Sequence, residues 1–187
     1  ENHSGGLERS TRGRNVTVIF GDGAGAAVLS RSEENGKGIL SSHLHSEGKY
    51  AKELALEGPS TSRWVPEIIA ENNPDDESYF PYMNGQFVFK HAVVRFSEAI
   101  IEGLEANGLQ KEDINMLIPH QANLRIAQFI QRKFQLSDDQ VYNNIMKYGN
   151  TTAASVIIAL TEACEEGKIN DGDLVVLAAF GSGFTWG

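Results

Sequence analysis

Two predicted short strands, each followed by a helical pattern, constrain the fold of this 187-residue chain more strongly than any other feature. Residues 114–118 lead through His120 into one helical pattern, and residues 141–146 lead through Asn150 into another. In α/β sheets, polar side chains that follow the carboxyl ends of strands meet in the crevice where ligands bind. The pattern therefore predicts an α/β fold in which His120 and Asn150 face one crevice.

The remaining apolar patterns are typical of the same layered architecture. Further short runs bounded by turn residues predict buried strands at residues 16–20, 26–29, 38–44 and 174–180. Apolar residues spaced by three or four predict a helix from residue 85 to a stop at Gly108 and another over residues 123–134. A segment rich in Ala, Ile and Val predicts a third helix over residues 151–164. We expect one mixed α/β layer system without an internal repeat or a flexible linker.

Composition excludes several classes of protein. The formal net charge of −9 argues against a nucleic-acid partner or an anionic membrane surface, which both require a basic footprint. No run approaches the roughly 18 apolar residues of a membrane span. Cys164 is the single cysteine, so an internal disulfide and a cysteine-based metal cluster are excluded. We expect a cytoplasmic protein with no membrane partner.

Two other motifs suggest ligand sites but are better explained without them. The glycine-rich residues 21–25 are followed by a strand pattern rather than the helix that a phosphate-binding loop needs, so we interpret them as a tight turn. His43 and His45 share one strand face, a spacing that can bind a metal. Since neither a carboxylate nor a third histidine lies close by in sequence, we expect no metal site.

Residues 47–84 form a long irregular segment. It contains four of the five prolines, together with several aromatic residues. Irregular segments of this length inside a compact domain are usually functional or disordered. We expect this one to pack as a loop over a substrate pocket.

His120 and Asn150 together suit the stabilisation of a negatively charged oxygen. The positive end of the helix after His120 disfavours the imidazolium form, and a neutral imidazole can donate one hydrogen bond. The Asn150 amide can donate to the same oxygen, and two such donors stabilise an enolate more than a ground-state carbonyl. A core histidine beside an asparagine that caps a helix is the alternative, and spacing alone leaves it open.

Four motifs carry a resemblance to a known family. They are FGDGAGA at residues 20–26, PHQANLR at 119–125, GNTTAAS at 149–155 and FGSGFTWG at 180–187. Together they resemble the C-terminal half of β-ketoacyl-acyl carrier protein synthase III, a thiolase-fold condensing enzyme. The resemblance implies that residues 1–187 form one C-terminal condensing-enzyme domain, a mixed five-stranded sheet with packed helices that is one half of a two-half architecture.

The resemblance also implies an activity and a set of site residues. In this family an acyl-CoA acylates a cysteine, and malonyl-acyl carrier protein is decarboxylated to a carbanion that attacks the acyl-enzyme. His120 and Asn150 match the donors to the malonyl thioester, and the backbone N–H of Ser182 matches a further oxyanion donor. Substrate-binding positions are implied at Arg14, Asn123 and Phe180. Carrier-protein docking positions are implied at Lys90, Arg125, Arg132 and Lys133, which would otherwise be an ordinary solvated face.

The family's nucleophilic cysteine has no counterpart among these residues. Cys164 lies late in a predicted helix beside Glu165 and Glu166, where the thiolate is disfavoured, so it is expected to be a structural or surface residue. We therefore expect an N-terminal half that carries the nucleophile to be absent from this chain, and the chain alone to be inactive in condensation. The family implies a homodimer, no metal or redox cofactor, and CoA only as the carrier of the substrate.

Two other functions stay open. One keeps the fold and changes the pathway, as an acyltransferase or ketide-forming enzyme of specialised metabolism. The other is a non-catalytic domain that binds carrier protein or completes another subunit's site. Such a scaffold needs none of the donors at His120, Asn150 and the final glycine turn, so their joint presence argues against it.

Overall fold

The computed structural model describes residue 3 and residues 7–8, 10–34, 36–58 and 77–187. The strands in this part of the chain are β1 His45–Ser46, β2 Leu54–Ala55, β3 Tyr82–Met83, β4 Met116–Pro119, β5 Val175–Ala178, β6 Phe180–Gly181 and β7 Thr185–Trp186. The α-helices are α1 Arg14–Thr17, α2 Gly85–Ala106, α3 Leu124–Phe134, α4 Ile145–Tyr148 and α5 Ala154–Glu165. Short 3-10 helices occur at Gly48–Glu53, Glu77–Tyr79, Lys111–Asp113 and Asp138–Gln140.

The long helix α2 forms one side of the core, as its apolar stripe predicts. The Asn84 side chain accepts a hydrogen bond from the Phe87 N–H and caps the helix start. Phe96 and Ile100 on the stripe are 1% and 2% exposed. Past the end of the helix, Gly108 has a φ of +67°, a conformation that favours glycine at a helix stop. The prediction of this helix and of its stop is confirmed.

The centre of the fold is β4, which is buried along its whole length. It pairs in parallel with β5, in a register that places Met116 opposite Val175 and Pro119 opposite Ala178. Helix α3 follows β4 and packs against α2, whereas α5 packs against β4. Because strand β4 ends between these helices, the residues after Pro119 enter the crevice predicted from sequence. The predicted strand at 114–118 and the helices at 123–134 and 151–164 are confirmed within a few residues.

The sheets are mixed, as predicted, but their extent differs from the expectation of one five-stranded sheet. Among the described residues, β4 and β5 form a parallel pair, β2 and β3 an antiparallel pair, and β1, β7 and β6 an antiparallel three-stranded sheet. The predicted strand at 174–180 is divided between β5 and β6. Ala179, which lies between them, exchanges backbone hydrogen bonds with Gly187.

The predicted strands near the N-terminus are wrong. Residues 16–20 contain the end of α1, where the N–H groups of Val16 and Thr17 both donate to the Gly13 carbonyl. Residues 26–29 and 38–44 contain no strand; Val28 is 97% exposed. A β-branched run becomes a strand only where a neighbouring backbone pairs with it. Residues 26–29 and 38–44 have no ladder partner among the described residues, and residues 16–20 make only one isolated parallel bridge, from Phe20 to Asn150.

The predicted strand at residues 141–146 is also largely wrong. Val141 makes a single parallel bridge to Leu117, and α4 then begins at Ile145. The cause is the buried Gln121, whose side-chain oxygen accepts the N–H groups of Asn144 and Ile145. Backbone donors that a strand would use for pairing are thereby satisfied at the start of a helix.

Part of the proline-rich segment lies outside the described residues. Residues 59–76 lie outside the described part of the chain, so the expectation that they cover a pocket stays a prediction. The flanking residues of the same segment form the β2–β3 pair, in which Leu54 lies opposite Met83. Across the residues that the structure describes, every helix is too short or too polar to span a membrane.

Candidate active site

A cavity of about 950 Å³ opens where β4 ends, a volume within the roughly 300–1,000 Å³ typical of small-molecule sites. Five of the predicted site residues line it: His120, Asn123, Asn150, Phe180 and Ser182. Much of the remaining described wall is apolar and comes from the β2–β3 pair and α2, including Met83 and Phe89. The fold therefore brings both predicted hydrogen-bond donors to one largely apolar cavity.

His120 is held at the carboxyl end of β4. Its backbone N–H donates to the Ala178 carbonyl at 2.8 Å, which continues the β4–β5 pairing by one residue. Its ring Nδ1 lies 2.6 Å from the Ser155 hydroxyl oxygen, on the first turn of α5. Burial lowers the pKa of His120 from 6.5 to about 4, since a charged imidazolium loses hydration there. Burial therefore favours the neutral form, the same form that the sequence predicts from the end of the helix.

The depressed pKa of His120 predicts a pH-dependent stability. Folded His120 binds its proton more weakly than unfolded His120, so stability that is fully present above pH 6.5 is lost as the pH falls through about 4. The full effect on the free energy of unfolding is on the order of 3 kcal/mol. Urea unfolding of the wild type and of His120→Gln across this pH range measures the contribution of His120. The carboxylates titrate in both proteins, so their effect cancels in the difference between the two profiles. Parallel pH profiles for the two proteins would contradict the burial of a neutral imidazole.

Asn150 is presented by a turn with unusual backbone geometry. Gly149 has φ +68° and ψ −161°, and Thr152 has φ +47°. Non-glycine residues rarely adopt such positive φ angles, and conformations of this kind concentrate at functional sites. The Asn150 backbone donates to the Ile19 carbonyl at 2.9 Å, and its carbonyl accepts from the Gly21 N–H at 3.0 Å. The glycine-rich segment therefore contacts the site through the backbone of Gly21. No turn is assigned to residues 21–25, so the tight turn predicted there is not found.

The side-chain amide of Asn150 has a fixed orientation. Its oxygen accepts the backbone N–H of Thr152 at 2.8 Å. Its NH₂ group donates to no acceptor among the described residues, and Asn150 lines the cavity. Because the oxygen is engaged by the turn, the donor end of the amide is the part available to a ligand.

Charged side chains are absent from the described cavity wall, which contains no Asp, Glu, Lys or Arg. An anion that develops beside His120 and Asn150 would therefore be stabilised by neutral hydrogen-bond donors. Such preorganised donors stabilise developing charge more strongly than they do in bulk water. The arrangement fits stabilisation of an enolate or oxyanion better than proton abstraction by a carboxylate.

Three further predicted positions surround the two donors. The backbone N–H of Ser182 makes no hydrogen bond within the described structure, so it is available as a donor. Phe180 is 5% exposed and packs against Phe184, with ring centroids 4.9 Å apart. Asn123 caps α3 through its side-chain oxygen, which accepts the Arg125 N–H at 2.9 Å.

The basic residues singled out from the sequence lie outside the cavity wall. Arg14 is exposed on α1. Exposed positions on α2 and α3 carry the predicted docking residues, which are Lys90, Arg125, Arg132 and Lys133. None of these four makes an ion pair with another described residue. Because α3 packs against α2, the four residues lie on neighbouring helices.

Cys164 and the pair His43 and His45 were the other candidate positions in the sequence. Cys164 is exposed near the end of α5 and does not line the cavity. His43 and His45 contact the carboxylate of Glu102 at 3.1 and 2.6 Å, respectively. Glu102 lies on α2 and is distant from both histidines in sequence. In the part of the chain that the structure describes, no group of three or more His, Cys, Asp or Glu side chains is arranged to hold a metal ion.

Sequence reasoning missed the buried polar residues next to His120. Ser155 is 2% exposed and Gln121 is 3% exposed, and both lie within the quoted motifs. Their signal was a polar residue inside an otherwise apolar pattern, at the start of a helix rich in Ala, Ile and Val. The contact between positions 120 and 155 spans 35 residues, so spacing along the chain could not identify it.

Comparison with known proteins gives a consistent family. A family model described as 3-oxoacyl-[acyl-carrier-protein] synthase III matches residues 1–48, and one described as the C-terminal part of the same synthase matches residues 104–187. The chain is 45% identical over 178 residues to a β-ketoacyl-[acyl-carrier-protein] synthase III of Rhodospirillum centenum. It is 47% identical over 176 residues to one of Alkalilimnicola ehrlichii. Each alignment covers 93% of this chain and 51% of the relative, so the chain spans about half the length of these relatives.

Solved structures agree with the sequence comparisons. The structure of 3-oxoacyl-[acyl-carrier-protein] synthase III from Aquifex aeolicus matches with a TM-score of 0.83 at 37% identity, over 98% of this chain and 53% of that one. The priming β-ketosynthase of the R1128 polyketide pathway matches with a TM-score of 0.61 at 28% identity, over 76% of this chain and 41% of that one.

Proposed function

Because the chain belongs to the 3-oxoacyl-[acyl-carrier-protein] synthase III family, we propose that it supplies the His–Asn part of a synthase that initiates fatty-acid chains. The reaction is a decarboxylative Claisen condensation of an acyl-CoA with malonyl-acyl carrier protein. The thiolase-like α/β class predicted from the sequence is confirmed by the structural similarity. The observation that carries the proposal is that His120 and Asn150 line one cavity whose described wall contains no Asp, Glu, Lys or Arg.

The proposed chemistry follows from the position of the two donors. The thioester carbonyl of the malonyl group accepts hydrogen bonds from His120 and Asn150. When the bond to the carboxylate breaks and CO₂ leaves, its electron pair moves into an enolate whose oxygen keeps both hydrogen bonds. Because negative charge on that oxygen grows in the transition state, the donors lower the barrier rather than only binding substrate. No proton has to be transferred, which suits a neutral imidazole.

The next step joins the two substrates. The carbanion carbon of the enolate attacks the acyl carbonyl carbon on a cysteine, which forms the new C–C bond and a tetrahedral oxyanion that needs a hydrogen-bond donor. When this intermediate collapses, the C–S bond breaks and the cysteine leaves as a thiolate, which releases the β-ketoacyl product. The free N–H of Ser182 is our candidate for that role, with Phe180 shielding the site from water and Asn123 contacting the pantetheine arm. Arg14, on the surface, is proposed to contact the CoA nucleotide. No metal or redox cofactor takes part in this scheme.

We further propose that the nucleophilic cysteine belongs to an N-terminal half outside residues 1–187. Cys164 does not line the cavity, so it cannot carry the acyl group next to His120. The whole enzyme is proposed to be a cytoplasmic homodimer, by analogy with its family. The acidic carrier protein is proposed to dock on Lys90, Arg125, Arg132 and Lys133, the exposed cations of α2 and α3 that form no ion pair with another described residue, because opposite charge steers such partners.

A condensing enzyme of specialised metabolism is the second candidate function. The similarity to the priming β-ketosynthase of a polyketide pathway favours it, although that match covers less of the chain than the Aquifex aeolicus match. The two functions differ in acceptor. Preference for malonyl-acyl carrier protein over malonyl-CoA or β-ketoacyl-CoA acceptors supports fatty-acid initiation, and the reverse preference supports the second candidate.

Transplanting this chain into a relative tests the proposal. A fusion of the N-terminal half of the Rhodospirillum centenum relative to residues 1–187 is expected to decarboxylate malonyl-acyl carrier protein and to condense it with an acyl-CoA. The chain alone is expected to release no condensation product, because it lacks the nucleophile. Product formation is measured by mass spectrometry, with the intact relative as the positive control. Condensation by the chain alone, or a folded fusion that neither decarboxylates nor condenses, would contradict the proposal.

A further inference from the structure

The hydroxyl group of Ser155 stands between two groups that compete for it. The backbone N–H of Gln121 donates to the Ser155 oxygen at 3.2 Å, so one of its lone pairs is already used. Nδ1 of His120 lies 2.6 Å from the same oxygen. With Ser155 only 2% exposed, water is not available to complete the hydrogen bonds of this hydroxyl.

The hydrogen-bond inventory of Ser155 decides the direction of its contact with His120. A serine hydroxyl has one proton to donate and two lone pairs that accept. If His120 Nδ1 carried the proton, the Ser155 oxygen would accept twice and its own proton would have no acceptor among the described residues. Because a buried donor without a partner is unfavourable, the Ser155 O–H donates to Nδ1. A neutral imidazole that accepts at Nδ1 carries its proton on Nε2.

We propose that Ser155 is a positioning residue that holds His120 as the Nε2–H tautomer, with this N–H directed into the cavity. Nε2 has no hydrogen-bond partner among the described residues, which leaves it for the substrate oxygen. The other tautomer would present a lone pair to that oxygen and repel it. The inference rests on the proposed function and deepens it, since it states how the chain selects the only tautomer that can stabilise an enolate.

Hydrogen bonds to neighbouring groups hold both Ser155 and Gln121 in place. Ser155 lies in the first turn of α5, and its backbone N–H donates to the Thr152 carbonyl at 3.1 Å. The Gln121 side chain donates to the Pro119 carbonyl at 2.7 Å, in addition to accepting the two donors at the start of α4. Gln121 therefore cannot rotate away, and its backbone N–H stays directed at Ser155.

Nitrogen NMR of the chain tests the tautomer directly. In protein labelled with ¹⁵N-histidine, the two ring nitrogens of a neutral imidazole give distinct signals according to which one is protonated. The chain has five histidines, and the His120 signals are identified by their loss in His120→Ala. We expect Nε2–H in the wild type, a mixture of tautomers in Ser155→Ala, and recovery of Nε2–H in Ser155→Thr, which keeps the hydroxyl.

Ser97→Ala is a matched control for the loss of a buried hydroxyl. Ser97 is 0% exposed and donates to the Val93 carbonyl within α2, away from the cavity wall. It is expected to leave the His120 tautomer unchanged. An Nδ1–H signal in the wild type overturns the proposal, even if Ser155→Ala does not fold. A pure Nε2–H signal in a folded Ser155→Ala protein overturns it as well.

Kinetics of the fusion enzyme separate this inference from the proposed function. Ser155→Ala is expected to lower kcat for decarboxylation about 10-fold with little change in KM, similar to the loss of a hydrogen-bond partner behind a functional histidine. Ser97→Ala is expected to match the wild type. If the wild-type fusion has no decarboxylase activity, the proposed function fails while the NMR result for Ser155 still stands. If it is active and Ser155→Ala keeps the wild-type kcat, the positioning role fails alone.

Discussion

Replacing His120 with alanine is expected to slow malonyl thioester decarboxylation by the fusion enzyme about 10²–10³-fold, the usual effect of removing one oxyanion donor. Asn150→Ala is expected to have a similar effect. Both donors act on charge that grows in the transition state, so the loss falls on kcat, whereas KM changes little. Release of CO₂ from malonyl-acyl carrier protein, measured without an acyl-CoA, isolates this step from the nucleophile.

The double variant provides a sharper test of a shared oxygen. If His120 and Asn150 bind the same oxygen, the His120→Ala, Asn150→Ala enzyme should lose less activity than the product of the two single losses, because groups that act as a unit are not additive. His43→Gln is the control, since His43 is partly buried but does not line the cavity. Strictly multiplicative losses would indicate separate roles, and single variants that retain the wild-type rate would remove both residues from the mechanism.

The parts of the fold that sequence predicted well are those whose pattern is satisfied locally or by nearby elements. Helix α2 has a complete apolar stripe, a capping Asn84 and a stop at Gly108, so its limits follow from the chain itself. The strand before His120 is apolar at every position, and the structure buries all of it. In such segments, local propensity and long-range packing favour the same conformation.

Other parts could not be predicted because their structure depends on groups distant in sequence. The runs at residues 26–29 and 38–44 have strand composition, but no described backbone pairs with them, and Ile39 is 74% exposed. Residues 141–146 become mostly turn and helix because Gln121 binds the N–H groups that begin α4. For the first two runs, the sequence does not reveal that a pairing strand is missing among the described residues. For residues 141–146, it does not reveal that the Gln121 side chain binds the backbone.

In the candidate site, too, some features follow from local sequence and others depend on groups that are distant in the chain. His120 and Asn150 follow short motifs whose positions predict a shared crevice, and the structure places both on one cavity. The group that orients His120 comes instead from α5, and the group that orients the Asn150 amide is the backbone of Thr152. The shared position of His120 and Asn150 could therefore be predicted from sequence, whereas the contact between His120 and Ser155 could be found only in the folded structure.

Gly149→Ala is expected to destabilise the chain and to displace Asn150. With φ +68° and ψ −161°, Gly149 lies in a region that is essentially restricted to glycine. A Cβ atom there would lie 3.0 Å from the Ile19 carbonyl oxygen, the same oxygen that accepts the Asn150 N–H. Backbone strain and this close approach together should lower the free energy of unfolding by about 2–4 kcal/mol. Urea unfolding of the chain measures the loss.

Gly108→Ala distinguishes the effect of the site turn from that of any glycine with positive φ. Gly108 has φ +67°, but nothing lies within 4 Å of an added Cβ, so its replacement should cost only about 1 kcal/mol. In the fusion enzyme, Gly149→Ala should reduce decarboxylation nearly as far as Asn150→Ala, because the amide can no longer reach the shared oxygen, whereas Gly108→Ala should keep the wild-type rate. Equal losses of stability in the two variants, or an active Gly149→Ala enzyme, would show that the turn does not set the position of Asn150.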